Sequence, residues 1–135
     1  MIFDKELMFF DGKNINNATS VTSDALNLGT KRPFHGRIAY LGVAPKSDLT
    51  ATGDPDITLS LKFANDDTFS DLVTAAFPIA KKADFESGKV FCQPIPFIHG
   101  QFVKFSIAVG GTDGIACAKL DAGIMLDPED PIVAV

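Results

Sequence analysis

The chain reads as all-β, a sandwich or jelly roll of about eight antiparallel strands, and three observations lead there. Segments of strict apolar/polar alternation recur along it. Clusters of glycine, proline, asparagine and aspartate separate them. No window of ten or more residues carries a helical stripe of apolar side chains. With 135 residues, 46% hydrophobic and 21% charged, the composition is that of one ordinary globular domain spanning 1–135. A domain of that size buries about two-thirds of its unfolded surface, and needs no disulfide or metal to fold.

Three strands stand out. Ile57, Leu59, Leu61 and Phe63 alternate with Asp56, Thr58, Ser60 and Lys62, so one face is buried and the other wet. Val103, Phe105, Ile107 and Val109 do the same against Lys104, Ser106 and Ala108. Further on, Ala116, Ala118, Leu120, Ala122, Ile124 and Leu126 are assigned to one face, and Cys117, Lys119, Asp121, Gly123 and Met125 to the other. Shorter candidates are residues 21–28, 37–43, 72–79, 89–95 and 2–9, set between breakers at Asp11-Gly12, 29–33, 52–55, 65–67, Ser87-Gly88 and 110–114.

The two ends depart from this rhythm. Ile2, Phe3, Leu7, Met8, Phe9 and Phe10 follow neither period two nor a helical stripe, so residues 1–12 read as an arm whose apolar side chains need a cover. Phe3, Met8, Phe9 and Phe10 are the candidate contacts of that arm with a partner. Residues 127–135 contain two prolines followed by four apolar residues, a second extended tail that docks on a surface.

The search for chemistry narrows the function classes. A net charge of -5 with scattered lysines and arginines repels phosphate backbones, so nucleic acid is not the expected partner. No apolar run reaches the roughly 18 residues of a bilayer span, so no membrane partner is expected either. Asp4, Lys5 and Glu6 interrupt what a secretory signal requires, which points to synthesis in a reducing cytoplasm, with Cys92 and Cys117 as free thiols. His35 and His99 each precede a glycine and read as turn residues; two separated histidines cannot assemble a metal-dependent sandwich enzyme. No nucleophile elbow, phosphate loop, zinc-protease helix or Cys-x-x-Cys pair occurs, and 110–114 lies between two strands as a hairpin loop. Neither a catalytic residue nor a cofactor is expected.

Asp66, Asp67 and Asp71 form the densest acidic group. Counted from Asp67 as a calcium loop, the third position is Phe69 and the twelfth Pro78, so the ligand spacing fails. The expectation is a turn in which Asn and Asp side chains bond back onto their own backbone, with a surface cation site at these aspartates as the alternative.

Four segments carry a resemblance: "MIFDKELMFFDGKNI", "ATSVTSDALNLG", "ITLSLKFANDDTFSDL" and "KLDAGIMLD". Their order and spacing resemble the small capsid cement (decoration) proteins of short-tailed and related tailed phages. In that family an M-I-x-D start, a hydrophobic-x-Leu-Gly step, an L-x-L-x-x-S-x-D-x-x-F-S segment and a closing hydrophobic-Leu-Asp recur in this order. Here Asn65-Asp66-Asp67 stands where family members often place serine or threonine before the acidic residues, and the chain after Asp127 is longer than usual. The resemblance implies a jelly-roll sandwich, assembled as homotrimers on the outside of an icosahedral head and bridging major capsid protein subunits. It also implies localisation on the virion after synthesis in the host cytoplasm, without catalysis. A ligand- or carbohydrate-binding jelly roll of a phage tail or receptor-binding apparatus is the alternative. Twelve Phe, one Tyr and no Trp count against it, since sugar platforms use aromatic rings with a polar edge.

Overall fold

A computed structural model describes residues 7–29, 38–85, 89–111 and 114–125. Phe3, His35, the first half of the expected arm and the tail at 127–135 lie outside the described residues. Ten strands follow in order: β1 Met8–Ala18, β2 Ser20–Thr22, β3 Leu26–Asn27, β4 Tyr40–Pro45, β5 Leu49–Ala51, β6 Ile57–Ala64, β7 Val73–Ala76, β8 Phe91–Pro94, β9 Phe102–Val109 and β10 Ile115–Met125. One 3-10 turn, Lys82–Phe85, lies between β7 and β8.

The strands form two antiparallel sheets of five. In the first the order is β1-β10-β4-β8, with β5 also on β10; in the second it is β2-β9-β6-β7, with β3 also on β9. β4 and β5 follow each other along one flank of β10, at Leu120–Met125 and then Ile115–Cys117. β2 and β3 do the same along β9. Ten strands therefore fill eight positions, ordered 1-8-3-6 and 2-7-4-5. The pairs 1·8, 2·7, 3·6 and 4·5 nest as one long antiparallel hairpin rolled over itself, which is the jelly-roll arrangement.

Alternation explains the core. Ile57, Leu59, Leu61 and Phe63 of β6 and Val103, Phe105 and Ile107 of β9 are buried, as are Leu41 and Val43 of β4 and Leu120, Ala122 and Ile124 of β10. Each large side chain contributes about 1.5–3 kcal/mol by leaving water.

Two elements differ from the sequence reading. In β10 the buried face changes parity: Cys117 joins Ile115 in the core, Ala118 and Lys119 are exposed, and Leu120 is buried again. The ladder pairs Lys13 with Leu120 but Ile15 with Cys117, so two residues of β1 oppose three of β10. Such a bulge turns every later side chain over, which strict alternation cannot foresee. The link between β4 and β5 closes on it: Lys46 N–H donates to the Lys119 carbonyl at 2.8 Å, and Lys119 N–H to Ser47 Oγ at 2.9 Å.

In β1 the expected break at Asp11-Gly12 is instead a bulge inside one continuous strand, because β10 supplies pairing partners on both sides of it. Gly12, at φ +66°, donates its N–H to Asp121 Oδ1 at 2.7 Å. Lys46 Nζ lies 3.1 Å from the other carboxylate oxygen, so Asp121, though only 4% exposed, is paired and hydrogen-bonded.

The nested topology sorts the connections to two ends. The β1–β2, β5–β6, β7–β8 and β9–β10 links lie at one end. The β6–β7 and β8–β9 links lie at the other, where β3 finishes, β4 and β1 begin and β10 finishes.

Candidate interaction surface

The acidic turn after β6 sits at that second end. Phe69 N–H donates to the Asp66 carbonyl at 3.2 Å, closing the turn. The Asp66 carboxylate accepts the Ser70 N–H at 3.0 Å and the Ser70 hydroxyl. The Asp71 carboxylate accepts the Asn65 N–H at 3.0 Å and the Asn65 side-chain amide at 2.6 Å, and lies 3.2 Å from His99 Nε2 on the neighbouring β8–β9 loop. The Ser70 hydroxyl and N–H hold the Asp66 carboxyl below its ordinary value near 3.8. At Asp71 the Asn65 backbone N–H does the same, helped by His99 and the Asn65 side chain. Among the described residues no three His, Cys, Asp or Glu side chains are grouped to hold a metal ion. Asp66 and Asp71 thus act as the turn reading expects, bonding back onto their own loop, while Asp67 stays exposed.

The loops are pressed together. A Cβ on Gly100 would stand 2.3 Å from the Ala64 carbonyl oxygen, a distance only glycine permits.

Phe69 adopts φ +56°, in the left-handed region that costs a non-glycine residue roughly 1–2 kcal/mol. That conformation lays its ring under Lys104, whose Nζ is 4.3 Å from the ring centroid. Lys104 on β9 stands directly opposite Lys62 on β6, a like-charge pair across the ladder. Among the described residues no carboxylate oxygen lies within 4 Å of either ammonium. Close by, Leu72 and Phe97 are exposed, the latter with its ring 6.1 Å from that of Phe63. Ile38, which leads into β4, is exposed at the same end; of the four large apolar side chains most exposed among the described residues, Ile79 alone lies elsewhere, beyond β7. Sequence reasoning passed over Lys62, Lys104, Leu72 and Phe97. Each sits at an unremarkable polar or loop position, and only the β6–β9 register and the fold of the loops bring them near one another.

Of the expected arm contacts, Met8, Phe9 and Phe10 lie among the described residues. Met8 is half-buried opposite Gly123. Phe9 and Phe10 both pack on Phe105, with centroids 5.7 and 5.6 Å away, and Phe10 is 5% exposed. A ring so buried offers a partner almost nothing, so Phe10 serves the domain's own core. Both cysteines are free; burial pushes the Cys92 thiol up from its ordinary value, and Cys117 is in the core. At the opposite end Lys81 bonds the Asp56 carboxylate and the Asp54 carbonyl, the Asp56 bond raising the lysine's affinity for its proton.

No protein-family model matches the chain, and no curated protein does. Among solved structures, dimeric latent PorU from Porphyromonas gingivalis is similar at a TM-score of 0.40 with 10% identity, over 93% of this chain. The chain spans 12% of the length of that protein.

Proposed function

We propose that the chain is a capsid cement protein, a structural virion component that binds the outer surface of an icosahedral phage head as a homotrimer and bridges major capsid subunits. The ordered motifs in the sequence support this reading. The observation that carries it is the gathering of Ile38, Leu72 and Phe97, exposed, at the end of the sandwich where β1 begins and β10 finishes. Exposed apolar side chains collected at one end suit attachment to another protein.

The physical logic is multivalency. A patch that alone bound at millimolar strength would supply only about 4 kcal/mol. Three patches on one trimer, placed where several shell subunits meet, raise the affinity by a factor on the order of 10²–10⁴ without any new kind of contact. Bridging then ties neighbouring subunits together and resists their separation.

The test is co-sedimentation of the purified chain with cement-free heads, alongside light scattering of the chain alone. Saturable binding, heads that withstand more heat, and a mass three times 14.4 kDa are expected. Heads that sediment bare at saturating protein would overturn the reading.

A further inference from the structure

We infer that the contact with the shell is made at the corner formed by the outer face of the β2-β9-β6-β7 sheet and the end bearing the acidic turn, and that Lys62 and Lys104 there receive a carboxylate set among apolar side chains of the capsid protein. This inference rests on the function proposed above.

Three features converge on that corner. Lys62 and Lys104 face each other in register, half-buried, without a carboxylate within 4 Å among the described residues. Two like charges opposed on a ladder repel each other, and an incoming anion would turn that repulsion into attraction. The chain has 17 acidic residues, yet the nearest acidic turn directs Asp66 to Ser70 and Asp71 to Asn65 and His99. Asp66 and Asp71 therefore hold the loop, and neither carboxylate comes within 4 Å of the two ammonium groups.

Second, Phe69 holds a left-handed conformation that places its ring beneath the Lys104 ammonium. An unfavourable backbone maintained in a loop is a mark of a positioned side chain, and here it fixes the height and direction of one of the two charges. Third, Thr74 is the register partner of Lys62, and Leu72, which immediately precedes β7, is exposed. The corner thus presents two cations bordered by an exposed leucine and an aromatic ring.

Charge and composition together select the partner. A phosphate backbone is tracked by many lysines and arginines, whereas among the described residues this patch pairs two, Lys62 and Lys104, in a chain of net charge -5. Apolar side chains beside paired cations complement a protein surface with a carboxylate in an apolar setting, where the charges fix register and the apolar contacts hold.

The experiment compares binding to cement-free heads for the full chain, the double variant Lys62→Glu/Lys104→Glu, the milder Lys62→Gln/Lys104→Gln, Leu72→Asp, and Ile79→Ser as a remote control. Melting curves check that each variant folds. Charge reversal is expected to weaken binding by at least about tenfold, with the glutamine pair and Leu72→Asp weakening it less and Ile79→Ser leaving it unchanged. Wild-type binding should also weaken as salt rises from about 50 to about 500 mM. If the wild type binds and the folded reversal binds equally well, this inference fails and the function stands. If the wild type does not bind, the functional reading fails, and the inference with it. A reversal that changes the mass of the free protein would make the corner an interface between copies. Retention of a DNA oligonucleotide by the wild type, lost in the reversal, would make it a polyanion site. Either result overturns the assignment to the shell.

Discussion

Replacing Phe10 with alanine separates a core role from an arm role for the N-terminal aromatic residues. The ring is 5% exposed and meets Phe105 edge-on at 5.6 Å, while Phe9 covers the same ring from 5.7 Å. Removing a buried phenyl ring costs about 3–5 kcal/mol, including the aromatic pair and the cavity left behind. For 135 residues the unfolding entropy is about 0.28 kcal/mol/K, so the melting temperature should fall by roughly 10–18 °C. Phe10→Leu, which keeps most of the apolar volume, should fall well short of that loss. Calorimetry at fixed protein concentration reads both, since subunit association adds to apparent stability. Urea midpoints at an unchanged slope give an independent check. A drop below about 3 °C for Phe10→Ala would refute the buried ring and return Phe10 to the list of surface contacts.

Two further outcomes follow from the loop end. Gly100→Ala forces a Cβ to 2.3 Å from the Ala64 carbonyl at φ +78°, which should cost about 2–4 kcal/mol; Gly53→Ala, at φ +73° with nothing within 4 Å, should cost only about 1 kcal/mol. Equal melting temperatures for the two would contradict the close approach of the loops. The Asp71 carboxyl is depressed below its ordinary value near 3.8, so its contribution is present above that pH and is lost as pH falls through the lower folded value. Asp71→Asn should therefore flatten the fall of urea midpoints below about pH 4, and an unaltered acid slope would count against the Asn65 and His99 contacts.

The fold was legible where one face of a strand is dry and the other wet. β6 follows that rule from Ile57 to Phe63, and in β9 Val103, Phe105, Ile107 and Val109 keep to the core face although Ser106 between them is also buried, so both strands announce themselves. β10 was legible as a strand but not in its facing, because the bulge between Cys117 and Leu120 reverses parity midway. β1 was hidden for a related reason. Asp11-Gly12 and the asparagines at 14, 16 and 17 have turn chemistry, and only pairing with the eleven-residue β10 carries the strand through them. The register shift between Met8 and Phe10 also lets Phe9 and Phe10 reach the same ring, which is why their spacing matched no period.

The acidic turn was readable because asparagine and aspartate stop a strand through their own backbone bonds, a local rule. The lysine corner was not. Its two cations lie 42 positions apart and meet through a register that depends on the whole β6–β9 ladder. The left-handed Phe69 has no sequence signature at all, since phenylalanine is a residue that normally avoids that region.

Imaging heads reconstituted with and without the purified chain, at a resolution that places strands, tests the central claim most directly. The account predicts added density on the outside of the shell, in threes, where major capsid subunits meet, with the Leu72 and Phe97 end toward the shell and the Asp54 and Asp56 end toward solvent. Shells with no added density at saturating protein, or density confined to the tail, would contradict it.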